Sequence, residues 1–385
     1  MATPTALTRS TATLSNRRHP WLSQAVLLLM PLMILPSCDS ESGGGSPEPR
    51  AVRVTVDRAA SAAAVADAVL LLRRQQGTAA QERLLEATRL DANSAEAFYW
   101  LGRAYMIRGA SLSPSRAIEA FRESQAIEPS RSDLDWGIGL AFYHIAEYEQ
   151  AEQHLTAYLD STAQPGQEPQ RAEAEHTCGV IALNDNRPDS AVAHLQRAFQ
   201  LRAASAETAY YLGLAHQRLD QIDKAIESLE QAIALDPGHG SSFHQLGRLY
   251  ARTNNPEKAR RAQEIHRLLN ELTDNISLRV KRDTERTLGL LEQLTALQPE
   301  NHRARVQHAS LLRQRGQEIM ATLILDGLLS DVTQQWSAYV MRAELAWKVG
   351  NKELAAQTLK TLLERNPKFD PAQLPAALQP LVKRS

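Results

Sequence analysis

The residues of this chain that are able to carry covalent or acid–base chemistry are scattered. No HExxH pair, CxxC pair, GxxxxGK[ST] phosphate cradle or GxSxG elbow occurs in it. Two cysteines, Cys38 and Cys178, permit at most one disulfide and lie in unlike contexts. His144, His176 and His244 are the best set from which a metal site can be imagined, but they lack ligand spacing, so surface hydrogen bonding is expected and neither metal nor cofactor is. Another series is more ordered: Tyr99, Trp136, His176, Tyr210 and His244 recur at near-constant intervals. Such side chains catalyse nothing alone. Aligned on one face, they offer broad apolar area with polar edges, which is what gripping another molecule requires. A near-constant interval in turn demands a repeated element to carry it.

Ala206 to His239 displays that element. Its first half sets Leu212, Gly213 and His216 on a helical period, and its second half does the same with Ala225, Leu229, Ala232 and Leu235 before Pro237. Gly213 and Ala225 lack bulk, so two helices can approach closely, and Leu212, Leu229 and Leu235 fill the seam. Asp236-Pro237 stops the second helix, because proline cannot continue it and restricts its predecessor. The segment resembles the tetratricopeptide repeat, a helix–turn–helix unit of about 34 residues. One hairpin leaves an apolar flank open on each side, so neighbouring copies are required.

They are found in frame. Ser61 to Ser94 keeps Ala68, Leu71, Ala80, Leu84, Ala87 and Leu90, with Asp67 a polar lapse tolerable in a terminal unit. Ala95 to Arg131 carries Leu101, Gly102, Ala117 and Phe121; the unit from Ser132 carries Ile138, Gly139, Ala151 and Leu155. Ala172 to Ser205 holds Gly179, Ala191 and Leu195, and its Cys178 takes a core slot, where cysteine behaves as a small hydrophobe. Gly240 opens a sixth unit with Leu246, Gly247 and Ala259. Arg260 to Thr287 then reads as a long charged helical stretch without a hairpin signal. The register returns through Leu291, Leu294 and Leu297, implying a unit from about Leu268 and a distorted repeat or bend. Units from His302 and Trp336 follow, making nine, of which three are degenerate. The resemblance implies an all-α tetratricopeptide-repeat solenoid, a right-handed superhelix of antiparallel helix pairs. The expected organisation is a full array at 61–267, degenerate units at 268–369 and a capping tail at 370–385, where Leu374, Leu378 and Leu381 cover the last flank.

In proteins of this family the inner curve is lined by positions 2, 5, 9, 12 and 13 of each first helix. Carried onto this chain, they give Tyr99, Arg103 and Met106, then Trp136, Leu140, Tyr143 and His144, then His176, Val180 and Asn184. Further on come Tyr210, Leu214, Gln217 and Arg218, followed by His244, Arg248 and Arg252, with Arg303, Arg313 and Lys348 continuing the basic trend. The resemblance thus implies a protein partner on the concave surface, an extended or helical peptide anchored by rings, with arginines meeting acidic groups or a terminal carboxylate. Two other readings stand beside it: rings that pack on the adjacent helix and set curvature, and a solenoid that cradles a small molecule or glycan for envelope transport or degradation. The family's clamps for chaperone tails place Lys and Asn at positions 5, 9 and 13; rings at position 5 depart from that pattern.

Composition agrees with a helical, non-enzymatic interaction protein. The chain is 43% apolar with 43 basic and 44 acidic residues, a balance that gives no support to nucleic-acid binding. At the N-terminus, Arg17-Arg18-His19 precede an apolar run from Ala25 to Leu35, too short to span a bilayer and broken by Pro31. This is a secretory signal pattern. Its end, Leu35-Pro36-Ser37-Cys38, resembles a bacterial lipobox despite the unusual Pro36, which implies a signal peptide at 1–37, lipidation of Cys38 and membrane attachment at the bacterial cell envelope. Residues 38–60, rich in Gly, Ser and Pro at their start, read as a flexible tether.

Overall fold

The computed structural model describes residues 57–107, 112–161, 165–201, 205–277, 283–330 and 336–382, all within one compact unit, Val54–Ser385. The signal, Cys38 and all of the tether before residue 57 lie outside the described residues. Among those residues every regular element is helical. Antiparallel pairs follow one another: α1 (Arg58–Arg73) with α2 (Gly77–Leu90), α3 (Ala95–Tyr105) with α4 (Pro114–Ile127), α5 (Leu134–His144) with α6 (Tyr148–Asp160), and α7 (Glu168–Asn184) with α8 (Pro188–Gln200). Next come α9 (Ala206–Arg218) with α10 (Ile222–Leu235) and α11 (Gly240–Arg252) with α12 (Pro256–Ser277). After α13 (Thr284–Leu297) stand α14 (His302–Gln314) with α15 (Glu318–Ser330) and α16 (Trp336–Lys348) with α17 (Lys352–Arg365). A single 3₁₀ turn, Pro371–Gln373, and α18 (Gln379–Val382) end the described chain. The fold is an all-α solenoid of helical hairpins. Helix α1 starts at Arg58, inside the expected tether, because the Asp57 carboxylate accepts from the Ala60 amide at 2.9 Å and caps it.

Two devices recur among the described hairpins. The first is the seam. A Cβ built on Gly179 would fall 2.6 Å from Leu195 Cγ, and one on Gly213 would fall 2.7 Å from Leu229 Cγ, so the second helix seats its leucine directly against the first helix's backbone. The second device is the turn. Gln75, Ala146, Asn186, Asp220, Asn254, Gly316 and Gly350 all adopt left-handed backbone, with φ from 56° to 83°. Each occupies the fifteenth place of its unit. The following amide then reaches back into the first helix's last turn, as Gln221 N does to His216 O and Asn351 N to Ala346 O, both at 2.9 Å. Carbonyls otherwise orphaned at the helix end are satisfied this way.

The distorted region takes a definite form. Helix α12 runs unbroken for 22 residues through the expected junction at 267/268, pairing with α11 and continuing past Leu268, where the frame starts a new unit. Ala259, Ala262, Ile265, Leu268 and Leu272 form one buried stripe along it, and no glycine or proline interrupts that stripe. Because no first helix is split off, the loop after α13 is drawn onto the loop after α10. Buried Gln298 and Asn301 both donate to the Pro237 carbonyl, at 3.2 and 3.3 Å. At the other end, Leu374 and Leu378 are buried in a cluster with Tyr339, Leu359 and Leu362, and Leu381 packs against it.

Candidate functional site

The first helices α3, α5 and α7 together wall a cavity of about 310 Å³, to which they contribute Arg103, then Trp136, Leu140 and His144, and Glu173 respectively, with Met106 added by the residue that caps α3. Of the residues singled out in the sequence, Arg103, Trp136 and His144 are thus brought into one site. The Arg103 guanidinium lies 5.0 Å from the Trp136 ring centre and 5.2 Å from that of Trp100, a setting in which the ring faces attract the cation. Trp136 is 6% exposed, and its indole Nε1 is fully buried beside Glu173. The Glu173 carboxyl nearby is raised above its ordinary pKa by burial, against the opposing pull of Arg103. Apolar floor, held cation and acid make the cavity suited to a side chain with both apolar and polar parts.

Tyr99 does not line it. It is 3% exposed, packed against Phe121 at 6.0 Å and covered by the Arg131 guanidinium at 3.8 Å. Its hydroxyl accepts from Arg103 and is pushed up to about 12, chiefly by burial. At this position the ring is a core residue that supports the neighbouring helix.

A second assembly lies on α5, α7 and α9. Half-buried Tyr143 meets Tyr148 at 5.9 Å and exposed His144 at 5.8 Å. His176 accepts or donates through Nδ1 to Thr208 Oγ1 at 3.0 Å and turns its ring edge to Tyr211 at 5.6 Å. Burial lowers its pKa, with Glu207 opposing. Tyr210 touches Tyr211 at 5.3 Å and His239 at 5.1 Å. Further along, exposed His244 lies 4.9 Å from His266 with the two rings tilted. The three histidines therefore face different neighbours, and among the described residues no three His, Cys, Asp or Glu side chains are grouped as metal ligands.

The basic residues are largely engaged within the chain. Arg218 donates to the Leu183 carbonyl at the end of α7, Arg252 pairs with Asp220 at 2.6 Å, Arg313 with Glu344 and Lys348 with Glu318. Arg248 and Arg303 are exposed. Cys178 is fully buried and its thiol is pushed up to about 12 by burial, the state of a packing residue and not of a nucleophile. Cys38 lies outside the described residues, and no described helix is long and apolar enough to cross a membrane.

Selecting rings and bases overlooked the acids. Position 2 carries Glu96, Asp133, Glu173 and Glu207, each three residues before the ring of its unit. Glu96 and Glu207 lie in the first turns of α3 and α9 and Asp133 just before α5, where an acid favours the helix dipole and reads as ordinary capping, whereas Glu173 lies a turn further into α7. Tyr211 and His239 were also overlooked: neither falls at an inner-curve position, and only the packing of α7 on α9 reveals them.

A solenoid of helical hairpins whose first helices share one polar, ring-lined face defines a repeat scaffold built for contact with other molecules. Residues 206–239 and 337–369 each match a family model described as tetratricopeptide repeat. No curated protein matches it at a significant level. Among solved structures it is similar to Pseudomonas aeruginosa pilF, at 19% identity and a TM-score of 0.47 over 55% of this chain and 92% of that one. It is also similar to YrrB, a tetratricopeptide protein with a peptide-binding site, at 18% identity and 0.39 over 57% and 95%. A third is MamA from Desulfovibrio magneticus RS-1, at 22% identity and 0.40 over 46% and 95%.

Proposed function

We propose that this chain is a bacterial lipoprotein, anchored through Cys38, whose hairpin array acts as an adaptor that holds a segment of a partner protein at the cell envelope. The observation that carries the binding half of this reading is the cavity shared by α3, α5 and α7, where Arg103, Trp136 and Glu173 meet over Met106 and Leu140. Side chains needed only to stack helices have no reason to gather a cation, a buried indole N–H and an acid around one opening. The anchoring half rests on the lipobox-like sequence before Cys38 and the polar stretch after it.

The two halves are tested separately. With a photoreactive residue at Leu140, crosslinking in intact cells is expected to trap one defined protein, and Trp136→Ala is expected to cut its recovery at least severalfold. Recovery that is unchanged removes this face from the binding role. For the anchor, Cys38→Ser is expected to abolish incorporation of labelled fatty acid and release the protein from the membrane fraction; acylation that persists rules out Cys38 as the attachment point.

A further inference from the structure

The cavity walled by α3, α5 and α7 is lined by one more polar side chain, Gln170, from the first turn of α7. Its Oε1 is buried and, among the described residues, receives no hydrogen bond. Arg103 across the same cavity donates to the Tyr99 hydroxyl, at a long 3.3 Å, and otherwise rests on ring faces. Beneath both, the floor is aromatic and fixed. Phe121 is 1% exposed, and a Cβ built on Gly102 or Gly137 would fall 2.7 or 2.6 Å from its ring, so α3 and α5 clasp it between bare backbones. In the neighbouring units Trp100, Thr177, Tyr211 and Gln245 stand at the position of Gly137, which gives this floor to one place in the array.

The groups around this opening decide what can enter it. A carboxylate would meet the lone pairs of Gln170 and also Glu173, whose own charge burial already disfavours. An ammonium or guanidinium would meet Arg103. A purely apolar guest would seal Gln170 Oε1 away from water with its hydrogen bond unmade, which is costly. An indole donates but cannot accept, and so leaves Arg103 unanswered. A phenol does both through one oxygen, and its ring suits an aromatic floor. At about 310 Å³ the cavity stands at the small end of ligand sites, roughly 300–1,000 Å³, with room for a single side chain. We infer that the cavity is a subsite for a tyrosine side chain of the bound partner segment, its ring against Phe121, Trp136 and Leu140, its hydroxyl accepting from Arg103 and donating to Gln170 Oε1. This assignment rests on the adaptor reading, whose partner segment it supplies with one residue.

The test uses the full chain in detergent micelles and fluorescein-labelled peptide pools, randomised except for a central Tyr, Phe, Glu or Arg, with binding read by anisotropy. The Tyr pool is expected to bind about tenfold more tightly than the Phe pool, the size of one hydrogen bond to an otherwise unsatisfied buried acceptor, and the Glu and Arg pools more weakly than either. Gln170→Leu is expected to erase the Tyr-to-Phe ratio at an unchanged melting temperature. Gln170→Glu, isosteric and still an acceptor, is expected to keep it. A ratio near one, a ratio that survives Gln170→Leu, or a Glu or Arg pool that outbinds the Tyr pool overturns the tyrosine subsite while leaving the adaptor reading intact. N-acetyl-tyrosine amide binding as tightly as the Tyr pool assigns the cavity to a free small phenol and overturns its peptide role. If no pool binds at all, the adaptor reading falls and the subsite in a partner segment falls with it.

Discussion

The hairpins from α3 to α12 and those from α14 to α17 achieve the same close approach with their glycines in different places. In the first set the eighth position is Gly102, Gly139, Gly179, Gly213 and Gly247, while the turn residue is Ala146, Asn186, Asp220 or Asn254. In the second set the eighth position is Ala309 or Ala343, and the glycines have moved to the turn as Gly316 and Gly350. Glycine at the seam removes a methyl that would strike the partner helix. Glycine at the turn removes a Cβ that would strike its own carbonyl. The first set thus takes a tight seam and accepts strained turns; the second takes relaxed turns and keeps a methyl at the seam. The ring-lined cavity belongs to the tight set, whereas the most exposed large apolar side chains among the described residues, Ile319, Val349 and Leu323, belong to the other.

That contrast is best broken at the seam. Leu195→Ala is expected to cost about 2–5 kcal/mol in urea unfolding, because the leucine is fully buried against Gly179 and leaves a void. A loss under about 1 kcal/mol would mean that the helices simply collapse together. Gly179→Ala should follow at roughly 1–3 kcal/mol from overpacking, whereas Ala309→Gly should cost only about 0.5–1 kcal/mol. Equal penalties would erase the distinction between the two seams. Ala146→Gly is expected to stabilise the protein by around 1 kcal/mol, by relieving a φ of 63°, with Gly350→Ala destabilising to a similar extent. A loss of stability on Ala146→Gly would show that its turn is unstrained. The smallest effect is a pH slope shared by both sets. Burial lowers the pKa of His176 and of His308, so the unfolded chain takes up these protons first. Their share of stability is complete above the ordinary histidine value and declines as pH falls through 6.5 towards their lowered values. A double His176→Asn, His308→Asn variant should show a flatter melting-temperature profile over that window; an unchanged profile would exclude this origin.

The frame was readable because seam residues obey steric rules that hold wherever the hairpin recurs: Gly213 and Leu229 identify their counterparts throughout the chain. The positive φ at Ala146 was not readable, since alanine gives no sign of a left-handed turn and only the unit's frame places one there. The merger in α12 was half visible. A missing Gly or Pro between Arg260 and Ser277 signalled a long helix, but the docking of Gln298 and Asn301 on Pro237 depends on how three units pack. The binding face was the least legible. Tyr99 and Trp136 occupy the same repeat position, yet one supports the core and the other borders a cavity, a difference set by Arg131 above the first and Glu173 near the second. Arginines looked available because a sequence does not display acceptors such as Leu183 O.

The continuous α12 has an effect on how this array comes apart. In a row of like modules, each joint between neighbours is a place where partial melting can halt. A helix held in common by two modules deletes one such stopping point, and the hydrogen bonds from Gln298 and Asn301 to Pro237 fasten its two sides together. Fraying that starts at α17 should therefore travel inward stepwise and then stall, with amides from Glu257 to Ser277 exchanging with solvent as a single block.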